Sequence, residues 1–319
     1  MDSSTTAVPV MMNSSSSSSS IDEVFNCGKY SANLNLVKVD SSDPPRPLLI
    51  WSPAAAGEFP VVIFLHGYLL QNSFYTQLLR HISSHGFVVV APQLYSVAGP
   101  NANQDISATA EIIEWLSENL CNYLPENVRP NLKKLVLAGH SRGGKVAFAL
   151  ALGKSLSSPI KFSALIGVDP VDGMDKGQQT PPAVLTYAPN SMDLNGAPVL
   201  VIGSGLGDVR KNPFFPPCAP RGVNHKDFYN ECCKPAHYFV AKDCGHLDVL
   251  DDETRGFRGR ATYCLCKNGE SRKPMRRFVG GVVVAFLRAY LEGDEESLVA
   301  IRRGYAKLPV VLQAVDSRV

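Results

Sequence analysis

Residues 132–156, LKKLVLAGHSRGGKVAFALALGKSL, constrain the fold more than any other stretch of this chain. LKKLVLAGH (132–140) is a short apolar run of the kind that forms a buried strand. SRGGKVAFALALGKSL (141–156) reads as a helix that begins at the serine itself. Between them lies Gly139-His140-Ser141-Arg142-Gly143, a G-x-S-x-G pattern. A strand that passes directly into a helix must turn so tightly that flanking side chains would clash. Glycine two before and two after the serine relieves that clash, and Gly144 adds room. Such a turn lifts the Ser141 hydroxyl above a sheet, at a helix N-terminus whose dipole favours an oxyanion. The pattern alone is short enough to arise by chance. Its place between strand and helix is what marks Ser141 as a nucleophile.

The flanking sequence repeats this strand-helix rhythm. LNLVKV and PLLIWS read as two early strands, PVVIFLHG (60–67) as a buried one. Residues 73–85 carry Phe74, Leu78, Leu79 and Ile82 at helical spacing, and Gly86 closes that helix. FVVVAP (87–92) is a strand stopped by Pro92. Residues 105–121 form an amphipathic helix. FSALIGVD (162–169), PVLVIGSG (198–205) and HYFVAKD (237–243) are further strands, and a buried helix over 275–291 is the last clear element. Buried strands alternating with helices predict an α/β fold: a mostly parallel central sheet with helices on both faces. Nothing inside 23–319 reads as a linker, so these residues are expected to form one domain. The Ser-rich segment 1–22 cannot bury a core and is expected to be disordered. It is either an untargeted tail or a transit peptide: rich in serine, but with no Arg and with Asp2.

Other classes of function are disfavoured. A formal net charge of +2 offers no electrostatic case for nucleic acid. The most apolar stretch, 278–291, is too short to span a membrane and carries Arg288. Six of the eight cysteines follow residue 217. Their adjacent or one-apart spacings, Cys232-Cys233 and Cys264-Leu265-Cys266, do not suit a tetrahedral zinc site. They are either one or two disulfides or free buried thiols.

A serine hydroxyl needs a base to take its proton, and on this architecture the partners follow in the order acid, then histidine. Among seven histidines, His246 in KDCGHLD lies just past the last strand, where the base is expected; His225 is the alternative. Two aspartates end strands on the same sheet edge: Asp169 in VDPVDG and Asp208 in VIGSGLGD. Spacing does not separate them. The oxyanion hole requires two backbone N–H groups. One is Arg142, the residue after the serine; the other is Tyr68, or else Leu69, after the His66-Gly67 turn.

Several stretches taken together, FLHGYLLQNSFY, SSHGFVVVAPQLYS, AGHSRGGK, GVDPVDG, QTPPAVLTYAPNS, NPFFPPCAP and AKDCGHLDVLDD, resemble plant chlorophyllases from about residue 25 to the C-terminal helix. Chlorophyllases are α/β hydrolases that cleave the phytyl ester of chlorophyll. The resemblance implies Ser141 as nucleophile, His246 as base and, between the two aspartates, Asp169 as the acid. It implies no metal or organic cofactor, and chlorophyll or a related phytylated pigment as partner. A peripheral membrane or pigment-protein contact and a chloroplast location are further expectations. A flat macrocycle with a long hydrocarbon tail calls for a large apolar cleft, for which Leu69, Leu70, Phe214 and Phe215 are the loop candidates. The His-Gly-Tyr loop is also similar to platelet-activating-factor acetylhydrolases and cutinase-like enzymes, which makes a broader lipid or polyester esterase the main alternative. A non-catalytic receptor on the same fold is a lesser one.

Overall fold

The computed structural model describes residues 22–39, 44–154 and 160–319. All of the Ser-rich segment but Asp22 lies outside them, as do residues 155 and 156 of the helix expected to reach 156.

Nine strands form one sheet in the order β1-β2-β4-β3-β5-β6-β7-β8-β9. They are β1 (Ala32–Val37), β2 (Leu48–Pro53), β3 (Gly57–Leu65), β4 (Val88–Pro92), β5 (Val128–His140), β6 (Ala164–Val168), β7 (Val199–Ser204), β8 (Ala236–Ala241) and β9 (Leu312–Arg318). β3 to β8 pair in parallel, while β1, β2 and β9 run antiparallel to their neighbours. This is the mostly parallel α/β sheet expected of a hydrolase.

The reason lies in the strands' composition. β4, β6 and β7 are buried along their whole length and apolar almost throughout, so both faces need cover. On one face lie α1 (Thr76–Ser84), α6 (Arg272–Leu287) and α7 (Glu296–Arg303), and a short helix α5 (Gly256–Ala261) stands between β8 and α6 in the chain. On the other lie α2 (Asn103–Asn119), α3 (Arg142–Ala151) and α4 (His225–Glu231). Alternation along β3 feeds both layers: Val62 and Phe64 point to the first, Val61, Ile63 and Leu65 to the second. Phe286 and Phe148, one in each layer, are fully buried, each contributing on the order of 2–3 kcal/mol.

Several elements depart from the sequence expectation. Residues 72–75 form a 3-10 turn before α1, so that helix begins at Thr76 rather than Ser73. The helix expected over 275–291 starts earlier, at Arg272, and widens into a π turn over Arg288–Glu292. It is also not the last element, because α7 and β9 follow. β9, LQAVDSR, has little buried surface to betray it. It is held by pairing with β8 and by Arg318, which donates to the carbonyls of Cys232 and Tyr229 at 2.6 and 3.1 Å.

Because β3 to β8 are parallel, their C-terminal ends share one edge. The loops after β3, β5, β6, β7 and β8 therefore converge, which is where α/β proteins build sites.

Candidate active site

Ser141 occupies the pivot between β5 and α3 with φ +54° and ψ −120°. A non-glycine residue held there stores about 1–3 kcal/mol of backbone strain, which the surroundings must hold. They do so by close approach. A Cβ on Gly139 would lie 2.3 Å from the Gly143 carbonyl carbon, and one on Gly143 would lie 2.3 Å from the Leu65 carbonyl oxygen. Neither position admits a side chain. The Ser141 amide donates to the Val168 carbonyl at 3.0 Å, tying the pivot to β6.

His246 and Asp169 meet this serine. His246 Nε2 lies 2.9 Å from Ser141 Oγ, and His246 Nδ1 lies 2.8 Å from Asp169 Oδ2. A carboxylate only accepts, so Nδ1 carries the proton and Nε2 is left to accept from the serine hydroxyl. Burial by itself would raise the Asp169 carboxyl. Hydrogen bonding and charge attraction from His246, the His225 ring and the Ser204 hydroxyl outweigh it and hold Asp169 at about 2. Asp169 also sits at φ +46°, which turns its carboxylate across the end of β6. Ser204, at the end of β7, donates its hydroxyl to Oδ2 and its amide to Oδ1.

The competing candidates sit elsewhere. Asp208 is bound to Arg221 at 2.5 Å. His225 stands on the far side of Asp169, its Nε2 3.8 Å from Oδ1 and its Nδ1 2.8 Å from the Tyr238 hydroxyl. Asp248 accepts from the amides of Gly245 and Gly269, both at 2.6 Å, so it braces the His246 loop from outside.

A second buried line was not visible in the sequence. The Gly67 amide donates to the Tyr75 hydroxyl at 3.0 Å, which lies 2.7 Å from His140 Nδ1. His140 Nε2 lies 2.9 Å from the His246 carbonyl, so Nε2 donates and Nδ1 accepts from Tyr75. The line joins the loop after β3, the serine turn and the His246 loop. Burial lowers the His140 ring to about 3, so it stays neutral. Its partners are 65 and 106 positions away, and no local signal could have announced them.

A cleft of about 310 Å³ opens beside Ser141. Tyr68 and Arg142 line it with Val171, Met174 and Pro217. The Arg142 guanidinium turns away from the serine, bonding Asp105 at 2.7 Å and the carbonyls of Gly99 and Asn101, with Tyr68 and Tyr95 rings beside it. It therefore ties the 99–101 loop to the cleft wall. The four apolar loop candidates do not form that wall. Leu70 is a correction: it is buried in the core layer with α1, because its side chain packs beneath the turn at Gly67. Leu69, Phe214 and Phe215 are exposed beyond the cleft. The long segment 170–197 is anchored by buried carboxylates. Asp172 accepts from the Val184 and Leu185 amides and pairs with Lys145 at 2.9 Å; Glu231 accepts from Thr186 and Tyr187.

Cys218, on the cleft wall, is joined to Cys266 by a disulfide, which settles one pairing left open by sequence; the remaining six cysteines are free thiols. Among the described residues no cluster of His, Cys, Asp and Glu is arranged to hold a metal ion. No helix among them is long and apolar enough to cross a membrane.

A family model described as Chlorophyllase matches residues 20–319. Chlorophyllase-2 of Arabidopsis thaliana is 58% identical, the match covering 93% of this chain and 98% of that protein. Chlorophyllase-1 of the same plant is 49% identical over 82% of this chain and 81% of its own length. A Citrus unshiu protein named "Chlorophyllase-1, chloroplastic" is 43% identical over 92% and 88%.

Proposed function

The chain belongs to the chlorophyllase family, and from that premise we propose that it hydrolyses the phytyl ester of chlorophyll to chlorophyllide and phytol through an acyl-enzyme on Ser141. Residues 23–319 act in this reading as one catalytic domain. The observation that supports the chemistry best is the hydrogen-bonded line from Ser141 through His246 to Asp169. His246 Nε2 takes the hydroxyl proton as Ser141 Oγ attacks the ester carbonyl. Asp169, ionised and immobile, stabilises the imidazolium that results. The amides of Tyr68 and Arg142 hold the tetrahedral oxyanion, each donor contributing about 3–4 kcal/mol. His246 returns the proton to the departing phytyl oxygen. It then takes a proton from water as the water oxygen attacks the acyl carbon, and gives that proton to Ser141 Oγ as this oxygen leaves, releasing chlorophyllide. The magnesium of chlorophyll belongs to the substrate.

A cleft of about 310 Å³ is at the small end for a ligand site. It suits the ester and the edge of the macrocycle, with the remainder of the pigment lying across the rim. The word "chloroplastic" in the names of two citrus relatives supports a chloroplast location, which a fluorescent fusion imaged in leaf cells tests against cytosol, endoplasmic reticulum and vacuole. The function is tested by incubating the chain with chlorophyll a in detergent beside a short aryl ester. The expected result is chlorophyllide, with the pigment ahead in kcat/KM. Cleavage of the aryl ester without chlorophyllide would leave the broader esterase. Failure of a fluorophosphonate to label Ser141 would favour a receptor.

A further inference from the structure

Two loops beside the cleft combine exposed apolar side chains with positive charge. Segment 209–216, VRKNPFFP, presents Val209, Phe214 and Phe215 to solvent, and segment 255–267, RGFRGRATYCLCK, presents Phe257, Tyr263 and Leu265. Phe214 and Phe257 are each 90% exposed, a position that costs apolar hydration and gives no packing in return. The same segments hold Arg210, Lys211, Arg255, Arg258, Arg260 and Lys267 and no acidic residue. The chain as a whole is nearly balanced, 31 Lys and Arg against 29 Asp and Glu, so this run of cations is local. Among the described residues none of the six has a carboxylate at ion-pair distance. The acids that flank the segments are Asp208, Asp252, Glu253 and Glu270. Asp208 is taken by Arg221 and Asp252 by Arg276.

The two loops form one surface. Lys211 Nζ donates to the Tyr263 carbonyl at 2.5 Å, and the Cys218–Cys266 disulfide crosses from one loop to the other. That surface is continuous with the catalytic cleft, because Pro217 and Cys218 belong to the cleft wall beside Ser141. Exposed aromatic side chains among unpaired cations are the composition that binds the headgroup region of an anionic bilayer: the rings enter the acyl boundary and the cations meet the lipid charge.

We propose that the 209–216 and 255–267 loops are the surface by which this chain docks on an anionic lipid bilayer, with the cleft mouth at the membrane. This deepens the chlorophyll reading and rests on it only for what passes from bilayer to cleft: a pigment with a hydrocarbon tail would slide from lipid to Ser141 without crossing water.

The test uses vesicles without pigment, so docking is measured separately from hydrolysis. The full chain is sedimented with vesicles of phosphatidylcholine alone and of equimolar phosphatidylcholine and phosphatidylglycerol. The expected result is binding at least about tenfold stronger to the mixed vesicles, weakening as salt rises. The combined Arg210→Glu, Arg260→Glu and Lys267→Glu variant should lose at least about tenfold of it, and Phe257→Ser a few-fold. Arg303→Glu, on α7, should bind as the wild type does. Turnover of a soluble aryl ester, unchanged in every variant, shows that the fold is kept. Binding that survives the triple reversal, binding no stronger to the anionic vesicles, or no vesicle binding by an active wild type would each overturn the proposal; the last would direct the search to a protein partner.

Discussion

The floor of the site and its rim are built on opposite terms. On the floor, Ser141, Asp169 and His246 are all buried, every polar atom between them has a partner, and glycines at 139 and 143 leave no spare volume. On the rim, Phe214, Phe257 and five of the six cations face water with few partners, Arg258 being half-buried. The floor is where geometry must hold to fractions of an ångström for proton transfer. The rim needs only composition, since a disordered and fluid surface can be met by any outward arrangement of rings and charges. Substitutions should therefore be severe on the floor and mild on the rim.

The largest expected effect is on Ser141, the proposed nucleophile. Ser141→Ala should lower kcat by roughly 10⁴-fold or more with the melting temperature little changed, measured as chlorophyllide release. Next is Asp172→Ala, beneath the floor. It strips Lys145 of its buried counter-ion and the Val184 and Leu185 amides of their acceptor, and should cost about 3–5 kcal/mol in urea unfolding. A stability loss under 1 kcal/mol would show that the buried carboxylate does not hold the 170–197 segment.

Acid should act on the floor before the rim. Burial lowers His66 to about 4 and His140 to about 3, both below the ordinary 6.5. The unfolded chain therefore takes up protons first as pH falls. Their contribution is fully present above about pH 6.5 and is lost progressively toward pH 3–4, about 2 kcal/mol for each by pH 5. Asp251 has the opposite sign: burial raises it to about 6, so its penalty on the fold eases as pH drops. The net fall is checked by urea midpoints between pH 8 and 5, and a flat profile would contradict the burial of these rings.

Tyr75→Phe is the sharper probe of the floor, because it removes one hydroxyl from the line that joins Gly67 to His140. A loss of about 1–3 kcal/mol is expected, shared between stability and kcat, with KM unchanged. At the small end, Phe214→Ser on the rim should move stability by less than about 0.5 kcal/mol. A larger loss would mean that the ring is packed rather than presented.

The same contrast explains what the sequence made legible. The Ser141 turn could be read because its requirements are local: a strand, two glycines and a helix in adjacent positions. His246 could be read from its place after the last parallel strand. Asp169 and Asp208 could not be separated by spacing, since each follows a strand on the same edge. In three dimensions they part: Asp169 directly follows β6, the neighbour of β5, whereas Asp208 lies past the end of β7 and turns to Arg221. Ser204, Tyr75 and His140 stay hidden because the bonds from Ser204 to Asp169, Tyr75 to His140 and His140 to His246 join residues 35, 65 and 106 positions apart. Leu70 departs from its expected place on the cleft wall because an apolar residue in a loop can anchor the loop as readily as line a cleft. β9 is not legible in the sequence, because an exposed edge strand carries no strong period.

Asp169, rather than its rival one strand away, completes the hydrogen-bonded line to Ser141. Chlorophyllide release from chlorophyll a should be measured for wild type, Asp169→Asn and Asp208→Asn side by side. The expected result is a loss of about 10³–10⁴-fold in kcat for Asp169→Asn and activity within a few-fold of wild type for Asp208→Asn. Retained turnover in Asp169→Asn, with loss in Asp208→Asn, would contradict it.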